Sequence, residues 1–508
     1  MPEQGSTPER GRSGRGRPPG GPRRSVTRPR DRGRHGDPAR LAAYTLLRAV
    51  DDGAYANLEL ANVLRRNRID GRDAAFATEL AFGTIRWQGL YDRFIAVAAD
   101  RSVDRLDPGV RDTLRLGAHQ LFGMRVPEHA AADQTVALAR QVNGAGASGL
   151  VNAVMRRLSE RSREDWVSAV VTEDDPVTAL AARESHPEWL VRALRQALLG
   201  HGASTAESVA ADLTALVEID NVAPRVALVA RPGLASVDEL LDGGAEPSEL
   251  SRVGAVLPHG DPSALPEVRD GRAAVQDEGS QLVALALAAA ATSVSGPAAG
   301  RWLDLCAGPG GKAGLLAGLA VEAGADLVAN EITPHRADLV RQSLRAATAA
   351  ARAAGRTVEV RTGDGRLVGE DEPAAYERVL VDAPCTGLGA LRRRPEARWR
   401  RQPGDLVELG PLQRSLLASA VDATAVGGVI AYVTCSPHLS ETTFVVRDAV
   451  KHRDDVEIID ARHLFTATDG SRIRGLGGGP FVQLWPHVHG TDGMFFALLR
   501  KIASSAAG

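Results

Sequence analysis

Residues Arg301–Leu316 read RWLDLCAGPGGKAGLL. A short apolar run stops at a cluster of glycines and resumes as good helix formers, the pattern of a strand, a tight turn and a helix start. Gly308, Gly310 and Gly311 let the backbone come close to a ligand, and a helix that begins there offers it free N–H groups. Working outward, DLVANE (326–331), TVEVRT (357–362), RVLVDA (378–383) and GGVIAYVT (427–434) are further apolar or β-branched runs, each followed by polar residues or a turn. Strands of this kind separated by helical stretches predict an α/β sheet, doubly wound, whose ligands sit at the C-terminal strand ends. The turn is not a P-loop, which would need glycine in place of Cys306 and Ser or Thr in place of Ala313. A dinucleotide site remains open: Gly308-x-Gly310-x-x-Ala313 satisfies the loose fingerprint, and Glu331, twenty residues beyond Gly311, ends the next strand as a ribose-binding acid would. S-adenosylmethionine, which carries the same ribose diol, fits equally well.

The other strand ends add chemistry. Asp364 follows the third strand in RTGDGR, Asp382, Pro384 and Cys385 follow the fourth in VDAPCTGLG, and Cys435 follows the fifth in YVTCSP. Two thiols and several carboxylates are thereby expected on one rim. Hydride transfer has no use for two thiols. Methylation of a pyrimidine at C5 does, because that carbon becomes nucleophilic only after a thiolate has added to C6, and the thiolate must later leave with acid–base help.

LDLCAGPGGK, VDAPCTGLG and YVTCSP, in this order, resemble motifs of the RNA cytosine-5 methyltransferases of the Nop2/NSUN/RsmB superfamily, with the likeness covering about 273–501. VQDEGSQLVA (275–284) is similar to that family's entry segment. The helical region 39–165, with stretches such as AFGTIRW, resembles the NusB-like RNA-binding domain that precedes the catalytic domain in the RsmB (Sun, Fmu) subgroup. The resemblance implies S-adenosylmethionine as cofactor and ribosomal RNA as partner, with 16S rRNA and its cytosine 967 as the target of the subgroup. It also implies roles. Cys435 would be the nucleophile at C6, Cys385 would aid release of the product, and Asp382 would hold the base edge and border the cofactor. Glu331 would take the ribose hydroxyls and Asp364 the adenine amine. Cys306, Ala307, Gly308, Pro309, Gly310, Gly311, Lys312 and Arg336 would line the cofactor site, with Cys306 itself a packed small residue. GMFFALLR (493–500) would be a late antiparallel strand.

Composition limits the alternatives. At 508 residues, 44% hydrophobic and 24% charged, the chain has room for about three domains. Three cysteines at 306, 385 and 435 form neither a disulfide framework nor a CxxC zinc site, so no metal is expected and a reducing cytoplasm fits. The longest apolar run, LVALALAAAA, is half the length of a membrane span, so no membrane partner is expected. Net charge is only −2, yet three lysines stand beside 58 arginines and residues 1–38 are Arg/Gly/Pro-rich with almost no aliphatic side chain. That segment reads as a disordered basic tail.

Residues 39–165 carry helical stripes (Ala43, Leu46, Leu47, Val50; Phe76, Leu80, Trp87; Val110, Leu114, Leu121; Leu150, Val154, Leu158) and predict an all-α bundle. Residues 185–272, with a helix at PEWLVRALRQALLG and a strand at RVALVA, predict a small α+β connector; residues 273–501 form the α/β Rossmann-like catalytic domain. The basic run LRRRPEARWRR (391–401) is either a solvated face or, as its place after Cys385 favours, a clamp on the RNA backbone. Two other classes stay open: an NAD-type oxidoreductase, and a non-catalytic RNA-binding or assembly factor.

Overall fold

The computed structural model describes residues 37–504; the expected basic tail at 1–38 falls almost wholly outside them. The chain begins with six helices, α1 (Pro38–Asp51), α2 (Ala56–Asn67), α3 (Gly71–Ala99), α4 (Pro108–Phe122), α5 (Glu128–Val142) and α6 (Ala145–Leu158). Asp37 and Asp107 cap α1 and α4 through their carboxylates, each followed by a proline whose fixed φ suits the first helical position. The predicted stripes point inward: Ala43, Leu46, Leu47 and Leu80 in one cluster, Val110, Leu114, Val154 and Leu158 in another, and α3 runs through both. Four more helices follow, α7 (Arg163–Val170), α8 (Pro176–Arg183), α9 (Glu188–Gly200) and α10 (Val209–Ile219). The apolar faces of α8, α9 and α10 enclose Leu388, Leu391 and Trp485 from the C-terminal half, so these helices are packed against the larger domain.

Strands β1 (Val226–Ala230), β2 (Glu246–Pro247), β3 (Gly254–Leu257) and β4 (Ala273–Val275) make an antiparallel sheet in the order β2-β3-β1-β4. The segment at 273–275, counted from sequence with the larger domain, thus hydrogen-bonds into the smaller sheet, because β4 runs antiparallel beside β1.

The large sheet contains β5 (Arg301–Asp304), β6 (Asp326–Glu331), β7 (Val358–Thr362), β8 (Tyr376–Asp382), β9 (Thr424–Thr434), β10 (Val456–Ile459), β11 (Val482–Gln483) and β12 (Phe495–Lys501). Its order is β10-β12-β9-β8-β5-β6-β7, with β11 beside β12. β5 to β9 are parallel; β12 returns antiparallel to β9, as GMFFALLR predicted. Both faces are covered, which is why the central strands read as unbroken apolar runs. On one face lie the helices Glu278–Ala289, Gly311–Glu322 and Pro334–Ala353, and on the other Pro403–Ala423 and Thr443–Lys451. Strand order reverses between β5 and β8. That crevice is where an open α/β sheet binds its ligand. No helix among the described residues is long and apolar enough to cross a membrane.

Candidate active site

The crevice is built by the turn after β5. Gly310 stands at φ +110°, left-handed backbone that glycine adopts without strain, and opens the helix Gly311–Glu322. A Cβ on Gly308 would lie 2.0 Å from Glu331 Oε2, so only glycine lets the turn close over the end of β6. Glu331 is buried; its Oε2 accepts the Gly308 N–H at 3.1 Å and its Oε1 the Thr333 N–H at 3.0 Å. Arg336 lies 3.5 Å from the same carboxylate and donates to the Gly308 carbonyl at 2.6 Å. Ala307 is buried and donates its N–H to the Asn330 carbonyl, while Pro309 and Gly311 are exposed on the open side of the turn. Asn330 Nδ2 also donates to the Gly363 carbonyl at 3.1 Å, which draws the Asp364 turn beside the end of β6. Asp364 itself accepts from the Arg366 guanidinium, and this pairing holds its carboxyl below the usual value.

Beneath the turn, Asp304 is 1% exposed and neither carboxyl oxygen meets a hydrogen-bond partner among the described residues. Burial, with Asp382 nearby, pushes its carboxyl up to about 8, so it holds a proton to donate at neutral pH. Cys306 packs against the core on the sheet face covered by Pro403–Ala423 and Thr443–Lys451, and burial pushes its thiol well above the ordinary value. An open glycine turn, a buried carboxylate at the end of β6 with lone pairs left over, and an orphaned acid below are a donor and acceptor set that suits a ribose-bearing ligand such as S-adenosylmethionine.

Across the switch point, Lys312 Nζ lies 2.8 Å from Asp382 Oδ2. Burial pulls the ammonium down, but Asp382, Cys435 and Asp304 more than offset it, and Lys312 stays above its usual value as a cation. β8 and β9 run parallel with Asp382 opposite Val433. Cys385 and Cys435, fifty residues apart, therefore leave neighbouring strands side by side, with Sγ atoms 3.4 Å apart. Either thiol can donate in this contact; with Cys385 as the donor, the Cys435 thiol is lowered while that of Cys385 is raised well above its ordinary value by the bond and by burial. Arg394 and Lys312 add to the lowering at Cys435, and Asp382 opposes it. Of the two sulfurs, Cys435 is the one poised as a thiolate, and nucleophilic attack needs the thiolate form.

Several residues here carry no sequence signal. Glu441 is fully buried and hydrogen-bonded to Thr386, next to Cys385; read from sequence it is an ordinary acid at a helix start. His201, at the end of α9, donates through Nε2 to the Pro437 carbonyl at 2.8 Å and so fixes the loop after Cys435. Asp277 and Asp492 share Arg393, at 2.7 and 3.1 Å.

The basic run 391–401 corrects the expectation of an RNA clamp. Arg398 is completely buried and donates to the carbonyls of Arg86, Ser185 and Asp220 and to Asn221. Arg392 donates to the Gly490 carbonyl, Arg400 to those of Val50 and Ala54, Arg401 to that of Thr386, and Trp399 Nε1 to that of Ile85. Arg398, Trp399 and Arg400 thereby fasten the large domain to the helices that precede it, while Arg392 and Arg401 brace the large domain itself. Guanidinium suits that work because one planar fork can donate to several acceptors at once.

The family model described as 16S rRNA methyltransferase RsmB/F matches residues 294–500, and the NusB family model matches residues 37–160. A Mycobacterium tuberculosis H37Rv protein named as a candidate methyltransferase is 49% identical over 481 residues, 93% of this chain and 99% of its own length. Ribosomal RNA small subunit methyltransferase B of Pseudomonas putida KT2440 is 33% identical over 475 residues, 92% of this chain and 99% of that one. The solved structure of PH0851 superimposes with a TM-score of 0.72 over 92% of this chain and 99% of that chain at 19% identity, a likeness of fold alone. The oxidoreductase and the non-catalytic readings fall with these matches. Related almost end to end to the Pseudomonas enzyme, and matched by the NusB model ahead of the methyltransferase model that spans this crevice, the chain belongs to the RsmB/F family of 16S rRNA methyltransferases.

Proposed function

We propose that this enzyme methylates C5 of a cytosine in 16S ribosomal RNA, cytosine 967, with Cys435 as the nucleophile at C6 and Cys385 aiding release. Enzymes of the family use S-adenosylmethionine, which supplies, when bound, an electrophilic methyl on a sulfonium. Glu331 would hold its ribose hydroxyls, Asp364 its adenine amine, and the 306–312 turn with Arg336 the remainder. The single observation that carries the reading is the thiol pair, Cys385 and Cys435 with Sγ atoms 3.4 Å apart beside the Asp382–Lys312 ion pair. The Cys435 thiolate forms a bond to C6, and the electron pair of the C5–C6 double bond becomes available at C5. Asp382, with Lys312 as its counter-ion, would hold the base edge through that step. Once C5 carries the methyl group, loss of the C5 proton rebuilds the double bond and the C6–S bond breaks, returning the thiolate. Cys385, relieved of its bond to Cys435 while that sulfur is on C6, is the near neighbour able to move a proton during elimination. The helical region 39–165 and the connector 185–272 would select the RNA.

The test is transfer of labelled methyl to 16S RNA with mapping of the modified position by bisulfite sequencing. Label appears at C5 of one cytosine, and Cys435→Ala abolishes it. Transfer of label by Cys435→Ala at the wild-type rate would refute the nucleophile assignment.

A further inference from the structure

Resting on the covalent reading above, we propose that Glu441 is a positioning residue for the reaction: it ties the Cys385 loop to the Cys435 loop and thereby keeps the two thiols within reach of each other. The carboxylate is completely buried. Its Oε1 accepts the Thr386 backbone N–H at 2.8 Å and the Gln413 amide at 3.3 Å, and its Oε2 accepts the Thr386 hydroxyl at 2.5 Å. Thr386 directly follows Cys385. Glu441 lies six residues after Cys435, and its carbonyl is held by the Tyr432 hydroxyl at 2.9 Å, on the strand that ends just before Cys435. A second tie runs alongside, Thr386 Oγ1 to Ser436 Oγ at 3.2 Å. Gln413 also donates to the Pro384 carbonyl at 2.9 Å, so the residues on both sides of Cys385 are held by one polar cluster.

A carboxylate needs a reason to be there. Burying a charge without a cation is expensive unless hydrogen bonds replace its water, and a neutral amide could satisfy one backbone N–H at lower cost. The carboxylate does two things an amide cannot do together. It accepts from both donors of Thr386 at once, and its charge disfavours a thiolate on Cys385, which keeps that residue the donor to Cys435. Removing Glu441 would free the Cys385 loop, with the nucleophile on its own strand left in place. The larger consequence falls on release, with attack slowed only as far as the Cys385 donor is lost.

The experiment uses the full-length chain with 16S RNA and S-adenosylmethionine, comparing wild type, Cys385→Ala, Glu441→Ala and Glu441→Gln for methyl incorporated in one turnover and for protein–RNA adduct on a denaturing gel. Glu441→Ala should release product about ten-fold or more slowly, the cost of losing charge-assisted bonds that hold the loop. It should therefore accumulate adduct as Cys385→Ala does, and Glu441→Gln, which keeps one acceptor for the Thr386 N–H, should restore only part of the turnover. A packing defect alone would lower adduct and product together. Adduct in Cys385→Ala but none in a folded Glu441→Ala overturns the positioning role and leaves the covalent reading standing. Absence of adduct in both overturns the covalent reading and this inference with it. Should Glu441→Ala fail to fold, Thr386→Val, which removes only the hydroxyl ties to Glu441 and Ser436, carries the same test with the same outcomes.

Discussion

Replacing Cys385 by alanine perturbs attack as well as release, and the size of the first effect follows from the thiol pair. In the intact site the Cys385 hydrogen bond is the largest cause that brings the Cys435 thiol down to about 7. A thiol at that value would be about half thiolate at pH 7. Without the donor, burial and Asp382 push the thiol back towards its ordinary 9.0, with Lys312 and Arg394 opposing. At that value about 1% would be thiolate at pH 7, a loss of roughly 50-fold. A more basic thiolate attacks faster, and with a Brønsted coefficient of about 0.4–0.5 this recovers roughly 6- to 10-fold. Population wins at neutral pH. Adduct formation in Cys385→Ala should be slower than wild type by about five- to eight-fold at pH 7 and faster above pH 9, with the midpoint of the profile moved up. The sign is that of an acid whose reactive form appears above its pKa: lowering the pKa extends activity to lower pH. Rapid quenching of excess enzyme with RNA between pH 6 and 10, read as adduct on denaturing gels, measures it. An unchanged midpoint in the variant would show that Cys385 does not set the ionisation of Cys435.

Glu331→Ala should weaken S-adenosylmethionine binding by about 1.5–3 kcal/mol, the range for hydrogen bonds to a charged group, with RNA affinity unaffected; calorimetry giving the wild-type affinity would remove the ribose assignment. Arg398→Ala should destabilise the chain by on the order of 3 kcal/mol, because it strands the acceptors contributed by Arg86, Ser185, Asp220 and Asn221 inside the domain junction. Arg398→Lys should not rescue it, since a point ammonium cannot reproduce the fork; denaturant unfolding that gives either variant wild-type stability would contradict this account.

Much of the catalytic half was legible in the order of residues alone. Strands buried on both faces must be continuous apolar runs, a backbone that approaches a ligand needs glycine, and an acid at the end of the next strand falls beside that turn; RWLDLCAGPGGK and Glu331 meet these local requirements and lie close in the chain. The helical stripes of α1, α3, α4 and α6 were equally plain, since their period is set by the helix itself. Tertiary structure decided what depends on distant segments meeting. Cys385 and Cys435 become partners only because β8 and β9 are neighbours, and their contact, not their spacing, divides the proton between them. Glu441 gains its place from the same adjacency. The run 391–401 shows the reverse case: eleven residues with six arginines look solvent-facing or phosphate-binding in sequence, yet the backbone carbonyls of Arg86 and Ile85, over 300 positions away, draw Arg398 and Trp399 inward. Charge and periodicity are properties of one segment and can be read from it; the hydrogen-bond partner of a buried polar group belongs to another segment, and only the folded chain supplies it.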